Sequence, residues 1–350
     1  MKSIQYEGKK VSIGIDVHAN SYHVTCVVLG EVVKRATIAG NSEGLISFIG
    51  NHFDKSQVRT VYEAGFSGFE LHRQLEGAGI RNIVVHAALI EISSRDRVKT
   101  DKRDSKKMAI QLDSGRLKGI RVPSRAEEAA RVLHRTREQL VRERSAIKAQ
   151  IRMRFYQFGY QVAKPKETLT FFKVEEGLKN PLAVEVKFGI RALVSVWQAL
   201  NVEIRAIEIE QKRQEAKDRK NEVYDSIPGF GFQTRRILST ELGDMSQFAN
   251  ERCLFSFSGL TPCEYSSGEH ERKGHISRQG SARLRHVLVE AAWSAIKDNA
   301  ELRRNFEKLA HRIGKKRAIV AIARKLLGRA RALFRKEEMY QSQRALKLAA

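Results

Sequence analysis

Cysteine is scarce and scattered. Cys26, Cys253 and Cys263 are the three in 350 residues, odd in number and far apart, which excludes a disulfide framework and a paired-thiolate zinc site and suits a reducing compartment. No run approaches the roughly 18 consecutive apolar residues that a membrane-spanning helix needs. The opening residues MKSIQYEGKKVSIGID pass from a short polar lead into a strand-like pattern without an apolar signal core, so a soluble, cytoplasmic protein is expected. Acidic residues are also in short supply, 40 Asp and Glu against 64 Lys and Arg, which leaves a formal charge of +24. A surface this basic binds polyanions and releases their counterions, making nucleic acid the expected partner.

At this length two or three folding units are expected. Residues 11–18 (VSIGIDVH) alternate around Val11, Ile13, Ile15 and Val17, and HVTCVVLG follows at 23–30, a hairpin turning at Ala19, Asn20 and Ser21. Short apolar runs at 59–63 and 82–85 interleave with helical stretches at 43–52 and 68–78, the pattern of an α/β domain over residues 1–122. From Ser124 the chain is free of proline through a long helical pattern, opened by a capping box of Ser124 and Glu127. A second helical stretch spans 188–222, beyond an irregular part with Pro165 and Pro181; together they suggest an antiparallel hairpin or coiled coil over 123–222. The remainder, 223–350, reads as mainly helical. It opens on SIPGFGFQTRRILSTELGD, whose Gly229 and Gly231 form a turn before a helix, as in helix-hairpin-helix modules that hold a DNA phosphate on backbone N–H groups. Residues 303–347 carry fifteen Lys or Arg against three Glu, while Ile319, Ile322, Ala323, Leu326, Leu327 and Ala330 keep an apolar helical stripe.

Four acids stand out. Asp16 interrupts an apolar strand, where a carboxylate requires a partner; Glu63 ends a second strand-like run; Asp101 and Asp104 lie three apart on one face of an expected helix. In an RNase H-like sheet such carboxylates converge at one edge, and four hard oxygen ligands suit Mg²⁺ or Mn²⁺. The surrounding lysines and arginines offer a second reading, salt-bridged structural aspartates. His18 faces the same region and reads as a structural histidine.

Farther along, CEYSSGEHERKGHISRQGSARLRH contains Ser266 and Ser267 followed by Arg272, Lys273, His275, Arg278, Arg283 and Arg285. Serine is a poor nucleophile until something takes its proton or stabilises the alkoxide, and the cations are suited to clamp a phosphate; from chemistry alone a serine beside a glycine is a turn.

The segments GIDVH (14–18), YEAG (62–65), TDKRDS (100–105), IPGFG (227–231) and, above all, SGLTPCEYSSGEHERKGHISRQGSARLRHVLVEAA (258–292) resemble the DEDD-type transposases of bacterial insertion sequences, related to the Piv site-specific invertase and including bridge-RNA-guided recombinases. The resemblance spans nearly the whole chain. It implies an N-terminal RuvC-like domain with Asp16, Glu63, Asp101 and Asp104 as metal ligands, and a C-terminal transposase domain in which Ser267, with Ser266 adjacent, attacks DNA as nucleophile. Glu269 stands where the family has a second glycine. It further implies a non-coding bridge RNA that selects donor and target DNA, assembly as a dimer or tetramer through the long helices, and residence at the bacterial nucleoid. The alternative class is a RuvC-like Holliday-junction endonuclease using metal-activated water; a third is a nucleic-acid-binding protein without catalysis.

Overall fold

The computed structural model describes residues 6–91, 101–215, 220–243, 245, 247–264, 273–336 and 338, with the backbone alone at 101, 102, 220, 221 and 273. The chain divides after Val122 into two compact units.

In the first unit, β1 (Val11–Val17) is the middle of a five-stranded sheet ordered β3-β2-β1-β4-β5. Its two-residue period sends Val11, Ile13 and Ile15 to one face and Ser12, Gly14 and Asp16 to the other. The first face is covered by α1 (Ser42–His52) and α2 (Glu70–Gly77), whose Leu45, Ile49, Leu71 and Leu75 join the strand residues in one core. The second face is covered by α3 (Asp101–Asp113), with Met108 and Leu112 packed on Val61 and Val85. β2 (Ser21–Val28) and β3 (Glu31–Ala39) pair antiparallel across a turn at Leu29 and Gly30, both at positive φ as a tight hairpin turn requires. β4 (Val58–Glu63) and β5 (Arg81–Val85) extend the other side in parallel. The expected hairpin, runs and helices all recur, within a few residues of their expected ends. β3 is an addition: EVVKRATIA is partly exposed along its length and carries Lys34 and Arg35, as an edge strand does to discourage further pairing.

The second unit opens on α4 (Arg125–Gln157), with the capping box formed: Ser124 Oγ accepts from Glu127 N at 3.2 Å and Glu127 Oε2 accepts from Ser124 N at 2.8 Å. α4 packs antiparallel to α6 (Val184–Glu215), as the contacts Arg137–Glu208, Arg144–Asn201 and Lys148–Trp197 show by their opposed order. The stretch between them is not wholly irregular, since Thr170 caps a short helix, α5 (Phe171–Leu178), that closes the core around Ile151, Phe155, Ile190 and Trp197. Of the expected helix 188–222, α6 covers the part through Glu215 and α7 (Lys220–Asp225) the part from Lys220 on, while residues 216–219 lie outside the described residues.

α8 (Phe232–Leu242), α9 (Glu251–Phe257), α10 (Ala282–Asp298), α11 (Ala300–Ile313) and α12 (Lys315–Lys336) enclose a further core of Leu238, Leu284, Leu288, Ile322 and Leu326. The apolar stripe of residues 319–330 is its α12 wall, while Gly314, at φ +81°, ends α11 and separates it from α12. A small antiparallel pair stands on either side of residues 265–272, β6 (Pro262–Glu264) and β7 (Lys273–Ile276). No helix among the described residues is long and apolar enough to cross a membrane.

Candidate functional site

Three of the four acids lie toward the same end of the sheet. Asp16 is half-buried on the face of β1 that also bears Ser12 and Gly14, the residues that touch α3. β1 and β4 run parallel with Ile15 opposite Tyr62, so the register sets Glu63 beside Asp16. Glu63 lies two residues beyond Val61, which packs under α3, and therefore shares that face. α3 crosses in the opposite sense: Asp113, its last residue, accepts from Ser12 Oγ at 2.9 Å and from Gly30 N at 2.8 Å, whereas Ser105 and Ala109 lie over Gly14. The helix thus points its first turn toward Asp16. Asp104 stands four residues before the buried Met108 and continues the sheet-facing stripe. Asp101 begins α3, and its side chain lies outside the described atoms.

Gly14 makes this arrangement possible. A Cβ there would come 2.0 Å from Ser105 O and 2.6 Å from Ala109 N, so helix and strand backbones approach as only glycine permits. Next to it the hydroxyls of Ser105 and Thr25 share a buried hydrogen bond of 2.9 Å.

His18 Nε2 is 3.4 Å from Asp16 Oδ2 and Lys107 Nζ is 3.6 Å from Asp104 Oδ1. His23, opposite Asp16 in the β1–β2 register and edge-on to His18 at 5.6 Å between ring centres, belongs to the same end of the sheet. Sequence reading passes over it, although its place in the polar alternation of β2 is the available signal. Among the described residues no three His, Cys, Asp or Glu side chains are close enough together to hold a metal ion. In donor chemistry, carboxylates from two strand ends and a helix start are hard oxygens suited to Mg²⁺ or Mn²⁺.

In the second unit, Ser266, Ser267 and Arg272 lie outside the described residues, as does the Lys273 side chain. The segments on either side are held together. Gly259 and Gly280 both adopt positive φ and stand back to back, with Ser277 N donating to Thr261 O at 2.9 Å and Ser281 N to Phe257 O at 2.7 Å. Arg278 is exposed at φ +57°, a conformation costly for a side chain of its size. Arg285 lies against Gly259, and its Nη1 is buried with no hydrogen-bond partner among the described residues.

Arg283 is placed differently from a phosphate clamp. Its Nε donates to Glu138 at 2.5 Å and its Nη1 to Glu241 at 3.3 Å. Glu241 is the centre of a buried network missed in the sequence: His134 Nε2 donates to it at 2.9 Å and Arg135 makes a two-pronged contact at 3.0 Å on each oxygen. Arg131 reaches the carbonyl of Thr240 at 2.8 Å. A glutamate amid Ile237, Leu238 and Leu242 is the same signal that marks Asp16. Burial pushes the Glu241 carboxyl up, but the hydrogen bond from His134 and the charges of Arg135, His134 and Arg131 outweigh it and bring it down to about 2. Because the folded value lies below the unfolded one, the stabilisation is present above about pH 4.5 and is lost as pH falls toward 2, on the order of 3 kcal/mol in all. Glu241→Gln is expected to cost roughly 3 to 5 kcal/mol at pH 7, measured by urea denaturation, because it strands the cations around it; a cost under 1 kcal/mol would show that solvent replaces the carboxylate.

The glycine turn is also taken up by packing. Gly229, at φ +81°, leaves no room for a Cβ, which would meet Ala291 O at 2.3 Å on α10. Gly231 is the open N-cap of α8, and its N–H turns back to Gly229 O at 3.2 Å.

Residues 13–157 match the family model of the DEDD transposase of IS110 elements, and residues 221–307 match that of the transposase IS116/IS110/IS902 family. The chain is 26% identical to the transposase for insertion sequence element IS1111A of Coxiella burnetii, over 80% of this chain and 79% of that one. It is 25% identical to the transposase for IS1533 of Leptospira borgpetersenii, over 81% and 85%. It is 31% identical to the transposase for IS1328 of Yersinia enterocolitica, over 47% and 49%.

Proposed function

Because the chain belongs to the IS110-family transposases, enzymes that cleave and recombine DNA, we propose that it exchanges DNA strands through a serine-linked intermediate, with the acids of the first unit as a metal-assisted partner site. The observation that carries this reading is the convergence of Asp16, Glu63 and the first turn of α3 at one end of the sheet. The strand order β3-β2-β1-β4-β5, antiparallel on one side of β1 and parallel on the other, supports an RNase H-like, RuvC-like reading of that unit.

Asp16, Glu63, Asp101 and Asp104 would hold Mg²⁺ or Mn²⁺, which when bound stabilises charge on the attacking and leaving oxygens of a phosphoryl transfer. The chain's own contribution is placement: Gly14 and the Ser105–Thr25 bond fix the height of α3, and Asp113 fixes its far end. Ser267 attacks the scissile phosphorus through its hydroxyl oxygen, loses its proton and expels a sugar hydroxyl. The phosphoserine ester keeps the energy of the broken phosphodiester, so religation needs no ATP. Arg272, Lys273, Arg278 and Arg285 follow Ser267 in the sequence and would hold the phosphate; Arg283 serves instead to fix α10 through Glu138 and Glu241.

Choice of sequence would fall to a bridge RNA paired with donor and target DNA, since phosphate contacts carry little sequence information; the net charge of +24 supports two polyanionic partners. Self-association is supported by α6, which packs Ile190, Val194, Trp197 and Ile204 inward yet leaves Val184, Phe188, Val202 and Ile209 exposed on one face of the helix.

Denaturing electrophoresis after incubation with Mg²⁺, labelled element-end and target DNA, and RNA transcribed from the element's flank tests the chemistry. Label linked to protein is the expected result. Cleaved DNA free of protein would replace the serine by metal-activated water, the chemistry of a junction nuclease.

A further inference from the structure

α12 is flanked by two clefts. One, about 450 Å³, lies between α9 and α12 and is lined by Glu251, Phe255, Arg324, Lys325, Gly328 and Arg329. The other, about 390 Å³, lies between α11 and α12 and is lined by Asn305, Lys308, Leu309, Arg312, Ile322 and Lys325. Ala321 and Lys325 belong to both, so the two clefts adjoin across the exposed ridge of α12.

Their chemistry is cationic rims over apolar floors. Lys308, Arg312 and Lys325 are exposed. Arg324 lies 4.8 Å over the Phe255 ring, and its Nε is buried with no hydrogen-bond partner among the described residues. Glu301 takes up part of the charge, at 2.8 Å from Arg329 and 3.8 Å from Lys325. Among the described residues Glu251 is the one carboxylate that lines either cleft, and its Oε1 lies 3.1 Å from where a Cβ on Gly328 would stand. Small side chains and Gly328 keep the first cleft open to a flat group, and Phe255 with Arg324 forms a ready stack beside it.

We propose that these paired clefts bind a single-stranded stretch of nucleic acid, its phosphates on Lys308, Arg312, Lys325 and Arg324 and unpaired bases over the apolar floors. Strands of this kind are bound by cations that track the backbone combined with stacking surfaces, and both elements meet here. None of the residues of these clefts is among the acids or serines proposed for the chemistry, and the inference stands whether or not Ser267 is the nucleophile.

The test is fluorescence anisotropy of the full chain with labelled single-stranded DNA, RNA of the same sequence and duplex DNA, titrated over a range of salt. Neutralising Lys308, Arg312, Arg324 and Lys325 to Gln together is expected to flatten the salt dependence for single strands by roughly 0.7 per lost contact, about 2 to 3 in all. A control with Lys164, Lys166, Arg191 and Arg205 changed to Gln removes the same charge elsewhere and is expected to change the slope by less than half as much. Glu251→Gln acts in the opposite direction, tightening single-strand binding about threefold, an outcome that misfolding does not mimic. Loss on DNA, on RNA or on both supports the site and identifies its source. Equal slopes for the two quadruple variants, or an effect confined to duplex DNA, would overturn it.

Discussion

Asp16→Asn and Ser267→Ala are each expected to lower strand exchange by at least roughly a thousandfold, equivalent to about 4 kcal/mol at the barrier, and to differ in what survives. Asp16→Asn preserves shape, and Asp16 is only half-buried at the sheet end, so unfolding stability should stay within about 0.5 kcal/mol. If Asp16 served only as the partner of His18, 3.4 Å away, the substitution would instead leave the rate alone. Single-turnover cleavage of labelled DNA beside thermal unfolding separates the two. If Ser267 is the nucleophile as proposed, Ser267→Ala removes the attacking oxygen alone, so binding should persist while the protein-linked label disappears. Cleavage that continues at the wild-type rate in Ser267→Ala, with the adduct intact, would move the nucleophile to Ser266. Cleavage without any adduct in either protein would point to water.

The acids show how far a sequence carries. Asp16 betrayed itself as a charge in an apolar strand, and two-residue alternation placed it on the same face as Ser12 and Gly14 once the face was known. What no local pattern supplies is the covering of that face. The approach of α3 to β1 depends on two backbone atoms of a helix about ninety residues away in sequence, and nothing about Gly14 alone distinguishes close packing from an ordinary flexible strand position. The same limit appears in reverse at Gly229, where a glycine read as a phosphate-binding turn is accounted for by contact with α10. Arg283 reads as one more cation in a basic run until Glu138 and Glu241, distant in sequence, are found beside it. The long helices were legible because a capping box and a proline-free periodic run are local signals, whereas β3 was not, since an edge strand bearing charges keeps only half of the apolar alternation that identifies a strand.

Gly14→Ala is expected to reduce cleavage by roughly a hundredfold while the chain still folds. Real Cβ contacts stay beyond 3.0 Å, and the new Cβ would meet Ser105 O at 2.0 Å, so α3 has to move by about 1 Å; displacement on that scale costs an active site roughly 100-fold. Both atoms struck, Ser105 O and Ala109 N, are backbone, so no side-chain rotation relieves the clash. The shift also stretches the buried Ser105–Thr25 bond and the Ser12–Asp113 bond, each 2.9 Å. Overpacking and weakened hydrogen bonds together predict a loss of about 2 to 4 kcal/mol in urea denaturation. Ser12→Ala separates stability from displacement. It deletes one of those bonds, leaves Gly30 N on Asp113 at 2.8 Å and puts nothing in the path of α3, so it should cost about 1 kcal/mol with cleavage within a few-fold of wild type. If Gly14→Ala cleaves DNA as fast as the unaltered protein, the height of α3 over β1 does not set the position of the acids, and the sheet end ceases to be the site.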